Sequence, residues 1–253
     1  MGGLITINKK HMVNIDSVYQ KVLGILNKEQ RGYVTAQEFN LFANQAQDDL
    51  FEQYFYDINQ FGRLHGNDTE YSDMLNILNE KISAFETTDT LNYDQVNNYF
   101  PLPTNIYRAG TVIYDNTTTN GFGVTTTEPI EAERVNRNEI LYINSSPLTR
   151  PINTRPVYTQ NTNGINVYGN SELTTNVRLN YIRRPVRVQW AYQIVFDEPL
   201  YDASNSVNFE LHPSEEVELV IKILELSGIL IKDLGLYQVF DKEELEQIQQ
   251  EKS

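Results

Sequence analysis

PSEEVELVIKILELSGIL, residues 213–230, decides how this chain is put together. Pro213 in the first turn, Glu215 and Glu216 where the helix dipole favours acids, and Gly228 as a stop mark out a helix. Val217, Val220, Ile221 and Leu224 form one apolar stripe, and Leu219, Ile223, Leu226 and Leu230 form another. A helix apolar on two sides is either buried or covered by another subunit. From Leu236 onward the apolar positions thin to Leu245 and Ile248 among Glu, Gln and Lys, so the closing helix is expected to be solvated or docked on a neighbour.

The partners for such a helix lie at the other end of the chain. Ile15, Val18, Tyr19, Val22, Ile25 and Leu26 recur at the three- and four-residue spacing of one helix face. A second helix opens at Thr35, with Glu38 three residues on completing a capping box. Its stripe of Phe39, Phe42, Ala43, Ala46, Leu50, Tyr54, Ile58 and Phe61 predicts a rod of about 37 Å that stops at Gly62. A third helix is expected over residues 71–85.

Between the helical ends the character changes. Residues 104–211 carry Thr runs, Gly, Pro and short β-branched stretches, with strands expected at 111–114, 139–144, 156–159, 165–168, 177–183 and 187–196. Asn161, Thr162, Asn163 and Gly164 read as a hairpin loop in which Gly164 takes a positive φ. The expected fold is α+β: a helical bundle formed by the N- and C-terminal segments, with a central β-rich insertion resembling a sandwich or barrel. The expected divisions are a disordered leader at 1–12, a helical part at 13–100, a β-rich domain at 101–211, and C-terminal helices at 212–253 that pack on the N-terminal part.

Composition excludes several function classes. A formal net charge of −14 opposes a cationic nucleic-acid binder, because affinity for phosphate comes from Lys and Arg releasing counterions. The same charge suits a channel that DNA passes without adhering. With no Cys there is no disulfide, thiol nucleophile or thiolate-ligated zinc. His11, His65 and His212 are far apart and lack ligand spacing. No apolar run reaches the roughly 18 residues that span a bilayer, so no membrane partner is expected.

Residues 27–38, NKEQRGYVTAQE, imitate a calcium loop, with Gly32 sixth, Val34 eighth and Glu38 twelfth. Asn27 in first place and Arg31 in fifth, where an oxygen ligand belongs, favour a plain helix-turn-helix connection. No phosphate-binding glycine loop, nucleophile elbow or HExxH occurs. The reading is therefore non-enzymatic, with no catalytic residue, metal or cofactor. One segment stands apart: LNYIRRPVRVQW, residues 179–190, joins strand-like alternation to three Arg, a Pro and the only Trp. Arginine and aromatic side chains are enriched at interface centres. Arg183, Arg184, Arg187 and Trp190, with Leu219, Ile223, Leu226 and Leu230 from the helix, are the candidate intersubunit contacts.

Three strings resemble structural proteins of crAss-like tailed bacteriophages: VNIDSVYQKVLGILNKEQRGYVTAQEFNLFANQAQDDLFEQYF at 13–55, LNYIRRPVRVQW at 179–190, and LHPSEEVELVIKILELSGILIKD at 211–233. The nearest likeness is to the head-tail adaptor ring protein bound beneath the portal. That resemblance implies a virion protein at the head-tail junction, assembled in the bacterial host cytoplasm. It further implies a dodecameric ring that touches the portal and the next tail ring protein, with genomic DNA passing along its axis. The alternative is a tail or surface module that recognises a glycan or host receptor through the β-rich part. Its mark would be an exposed platform among Tyr107, Tyr114, Tyr142, Tyr158 and Tyr168.

Overall fold

The computed structural model describes residues 12–29, 34–61, 69–119, 121–196 and 198–227, with the backbone alone at 61, 69–75 and 198. Arg31, Gly32, Gly62, Gly228, Leu230, most of the leader and the closing helix lie outside the described residues. In chain order the elements are helices α1 (Ile15–Glu29), α2 (Ala36–Phe61) and α3 (Thr69–Ser83), then strands β1 (Glu86–Thr90), β2 (Phe100–Pro101), β3 (Ile106–Thr119), β4 (Thr125–Glu131) and β5 (Glu133–Arg134). Helix α4 (Ile140–Ser145) follows, then β6 (Val157–Gln160), β7 (Gly164–Tyr168), β8 (Glu172–Leu173), β9 (Val177–Arg183), β10 (Tyr192–Val195) and β11 (Glu198–Tyr201). A 3-10 turn (Pro213–Glu215) leads into α5 (Glu216–Leu226). The chain is α+β, with its β-rich region in the middle.

It divides into two compact units, one of residues 1–84 with 185–253 and one of residues 85–184. These boundaries differ from the expected 100/101 and 211/212. Strand structure already begins at Glu86, and the irregular chain after Pro185 belongs with the helices.

In the helical unit, α1 buries Ile15, Val18, Tyr19, Val22 and Leu26, and α2 buries Phe39, Ala43, Ala46, Leu50 and Tyr54, as their spacing predicts. Asn14 caps α1, its Oδ1 accepting from the backbone N–H groups of Asp16 (2.8 Å) and Ser17 (3.2 Å). Thr35 and Glu38 form the expected capping box: Glu38 N–H donates to Thr35 Oγ1 at 3.2 Å, and Thr35 N–H donates to Glu38 Oε2 at 2.9 Å. Helix α5 packs on α1 and α2. Leu219, Val220, Ile223 and Leu224 are buried there, while Val217 is exposed. Two residues of each apolar stripe, Val220 and Leu224 from one and Leu219 and Ile223 from the other, are thus taken by the chain's own core.

The extended chain at 186–190 is held to α2 by side-chain amides. Asn40, Asn44 and Gln47 stand on one helix face and hydrogen-bond the backbone of Trp190, Val188 and Val186 in turn. Glu210 closes the far end by accepting from Val186 N–H at 2.8 Å. The strand expected over 187–196 is therefore regular only at β10. Residues 186–190 find their partners on a helix, with a single bridge from Gln189 to Val207 on the other side.

The β unit holds two sheets, ordered β1-β9-β3-β4 and β2-β7-β6-β5, with β8 paired to β7. They share one core: Val112, Tyr114, Val177, Leu179 and Tyr181 from the first, and Phe100, Tyr158, Ile165, Val167 and Leu173 from the second. Two expectations fail here. Residues 139–144 are not a strand, because α4 runs from Ile140 to Ser145 and buries only Ile140. So short an apolar run has no period to separate strand from helix. Gly164 does not take a positive φ, which among the described glycines belongs to Gly123. Its role is close approach, since a Cβ there would collide with the Phe100 carbonyl oxygen and the Tyr99 ring.

Candidate interaction surface

Trp190 is a core residue, contrary to its candidacy as a surface contact. Asn40 brackets its backbone, accepting from its N–H at 2.7 Å and donating to its carbonyl at 3.1 Å. Its indole Nε1–H donates to Asp16 Oδ1 at 3.0 Å. The ring lies 4.1 Å from Tyr19 and stacks 5.7 Å from both Tyr192 and Tyr201. Tyr192 and Tyr201 are cross-strand partners at the root of the β10–β11 hairpin, so the indole braces that root.

The loop below the hairpin is equally fixed. Asp202 accepts from Ser204 N–H (3.0 Å), Ser204 Oγ (2.5 Å), Asn205 Nδ2 (2.8 Å) and Gln193 Nε2 (3.1 Å). These donors hold its carboxyl well below the usual carboxylate range. Asp202 N–H donates to the Ala191 carbonyl at 2.9 Å.

On this rigid root the hairpin tip is greasy and uncovered. Ile194 is 72% exposed, Leu200 62% and Phe196 98%. Phe196 also sits at φ 53°, a left-handed conformation that bulky side chains avoid. A turn position that would suit Gly or Asn is thus occupied by a fully exposed aromatic. From its place at the close of an apolar run, Phe196 reads as the end of a strand rather than as an exposed turn. The signal was the Asp197-Glu198-Pro199 break directly after an apolar run.

The other sequence candidates separate. Leu219 and Ile223 are wholly buried within the chain, so they are core rather than free contacts, and Leu226 is half-buried. Arg183 is half-buried with Cζ 5.8 Å from the Phe85 ring centroid, while Arg184 and Arg187 are exposed. Arg183 and Arg184 belong to the β unit and Arg187 to the helical one. The tyrosine platform is not formed as expected: Tyr114 and Tyr158 lie in the sandwich core, whereas Tyr142 is exposed.

Glu215, Glu218 and Lys81 cluster beside Tyr54 in the helical unit. Lys81 Nζ meets Glu215 Oε1 at 2.6 Å and lies 5.5 Å from the Tyr54 ring centroid. Burial, reinforced by the charge of Glu215 and a hydrogen bond to it, pushes the Glu218 carboxyl up to about 7, against the opposing pull of Lys222 and Lys81. Burial likewise raises the Tyr54 hydroxyl, which is buried with no hydrogen-bond partner among the described residues.

In the β unit, a cleft of about 420 Å³ lies among Val112, Glu131, Glu133, Arg134, Arg155 and Tyr158. Arg155 is committed to its own loop, donating to the carbonyls of Leu148 (3.2 Å) and Arg150 (3.4 Å). Among the described residues no group of three His, Cys, Asp or Glu could hold a metal, and no helix is long and apolar enough to cross a membrane. No protein-family model matches the chain, and no curated protein matches its sequence.

Proposed function

We propose that this chain is a structural subunit of a tailed-phage virion, an adaptor that closes into a ring at the head-tail junction. One observation carries the reading: the β10–β11 hairpin holds Ile194, Phe196 and Leu200 in solvent on a root braced by Trp190, Tyr192 and Tyr201. Contiguous exposed apolar residues mark interaction sites. A rigid root makes capture by a partner inexpensive, because little motion is lost on binding. The Phe196 backbone is strained as well, and such strain gathers at functional positions.

The likeness of residues 13–55, 179–190 and 211–233 to head-tail adaptors of crAss-like phages supports the same conclusion. So does the acid surplus, which suits a channel wall that DNA must slide past. In this role the partners are further copies of the chain, in the dodecameric stoichiometry that the resemblance implies, together with the portal and the next tail ring protein. The work is mechanical and needs no cofactor.

Native mass spectrometry and electron microscopy of the chain mixed with its portal test the proposal. A closed ring seated on the portal is the expected result. A chain that stays monomeric beside the portal at micromolar concentration rules the adaptor reading out.

A further inference from the structure

We propose that Asn163 is a site of spontaneous covalent modification, in which the Gly164 backbone nitrogen displaces ammonia from the Asn163 side chain and the product loosens the edge strand β2. The inference does not depend on the adaptor reading: it holds whether or not the chain closes into a ring.

Asn161 and Gly164 close the loop of Thr162 and Asn163, the Asn161 N–H donating to the Gly164 carbonyl at 2.8 Å. The return bond, from the Gly164 N–H to the Asn161 carbonyl, is not made. On its other side Gly164 faces Pro101, and the bond beside that pair runs from the Leu102 N–H to the Asn163 carbonyl at 3.4 Å. Among the described residues the Gly164 N–H therefore has no backbone acceptor, and its nitrogen is not locked into a ladder.

The Asn163 side chain is equally uncommitted. It is exposed and makes no hydrogen bond among the described residues, whereas the neighbouring amides are tied: Asn161 Nδ2 donates to Asn166 Oδ1 at 3.3 Å, and Asn166 Nδ2 donates to the Asn98 carbonyl at 2.6 Å and to Glu172 Oε1 at 3.0 Å. The asparagines followed by serine are also held. Asn170 Oδ1 accepts from the Asn153 N–H at 3.3 Å, and Asn205 Nδ2 donates to Asp202 Oδ2 at 2.8 Å. Asn144 stands inside α4, where the helical backbone turns the following N–H toward the preceding turn. Glycine after Asn163 leaves the attacking nitrogen uncrowded by any side chain.

The reaction needs no co-reactant but water. Hydroxide removes the Gly164 amide proton, the nitrogen bonds to Asn163 Cγ, and the bond from Cγ to the side-chain nitrogen breaks as ammonia leaves, which closes a succinimide ring. Water opens that ring at either carbonyl, giving aspartate or isoaspartate. The negative charge on the attacking amide is shared with the Asn163 carbonyl oxygen, to which the Leu102 N–H donates. Gly164 itself is buried, so the attack is slow, while the exposed Thr162 and Asn163 admit water to the loop.

Isoaspartate inserts a methylene into the main chain directly before Gly164 and turns the carbonyl that Leu102 bonds into a free carboxylate. Gly164 has no room to absorb the extra length, because the Phe100 carbonyl oxygen and the Tyr99 ring already lie where a Cβ would stand. Strand β2 ends its sheet in the order β2-β7-β6-β5, so it is the element that yields.

The test incubates the full chain at body temperature in mildly acidic and in mildly alkaline buffer, then maps its peptides by mass spectrometry. Amide-to-acid conversion should accumulate at Asn163 in the alkaline sample, take up label from an isoaspartyl methyltransferase, and outpace conversion at Asn170 and Asn205. In the modified fraction, hydrogen exchange at Phe100 and Ile165 should quicken by about tenfold, the size that overpacking strain produces. Asn163→Gln should abolish the conversion and keep the melting of the fresh chain. Asn163→Asp adds the charge without the methylene and should leave exchange at Phe100 close to that of the fresh chain. An Asn163 that converts no faster than Asn170 and Asn205 overturns the site, and conversion with unchanged exchange at Phe100 overturns the loosening of β2.

Discussion

Asn44 on α2 serves Val188 as a neighbouring strand would, its Oδ1 accepting from the Val188 N–H at 3.0 Å and its Nδ2 donating to the Val188 carbonyl at 2.9 Å. Val188 is buried, so these two backbone groups have little access to water. Asn44→Ala strands both of them. The expected loss is about 2–3 kcal/mol of unfolding free energy, measured by chemical denaturation. A loss below about 0.5 kcal/mol, the range of ordinary surface substitutions, would show that the amide is incidental.

Gly164 makes a comparable demand in the β unit. Its Cα lies so near the Phe100 carbonyl and the Tyr99 ring that no side chain fits. Gly164→Ala must push β2 away from β7, which should cost about 1–3 kcal/mol as overpacking does. Faster amide hydrogen exchange at Phe100 and Ile165 would accompany it, since these residues are register partners. Unchanged stability would mean that the two strands are not so closely apposed.

The Glu218 carboxyl gives the helical unit a pH dependence of defined sign. Its folded value of about 7 lies above the ordinary 4.5, so the folded chain holds a proton that the unfolded chain has released between those values. The resulting stabilisation is full below about pH 4.5, falls as pH rises through 7, and is absent above. The charged groups around it are Glu215, Lys81 and Lys222, with Tyr54 alongside. Partial exposure reduces the effect to about 2 kcal/mol. Glu218→Gln should flatten the decline in melting temperature between pH 5 and 7.5; the same slope in both proteins would refute the assignment.

What could be read from the sequence follows from where each residue's partners lie. Helices α1 and α2 and the Thr35–Glu38 box are set by spacing within a few residues, and strand β9 matched residues 177–183 because its burial alternates. Strands β1 and β4 were missed because nearly all their residues are exposed and leave no alternation to detect. Residues 186–190 looked like a strand, yet their partners are Asn40, Asn44 and Gln47, some 139–150 positions away. No local pattern announces such a pairing. Trp190 was legible as important but not as buried, since an indole amid arginines suits a core and an interface alike. The β10–β11 tip stayed hidden for a related reason: an apolar run that ends in solvent reads like one that ends in a core.

Trp190 and Phe196 should separate stability from association. Trp190 fills the helical core and stacks on Tyr192 and Tyr201, so Trp190→Ala should cost about 3–5 kcal/mol and loosen the hairpin. Phe196 has almost no buried surface to lose and occupies a left-handed backbone that glycine tolerates freely. Phe196→Gly should therefore leave folding stability unchanged or raise it by up to about 1 kcal/mol. The same change removes the most exposed apolar group of the hairpin, so ring formation on the portal should weaken. In the proposed assembly, contact with a neighbour would account for an aromatic at this strained, solvent-facing turn. If Phe196→Gly assembles as readily as the natural chain, the hairpin is not a contact and the apolar tip has no place in the assembly.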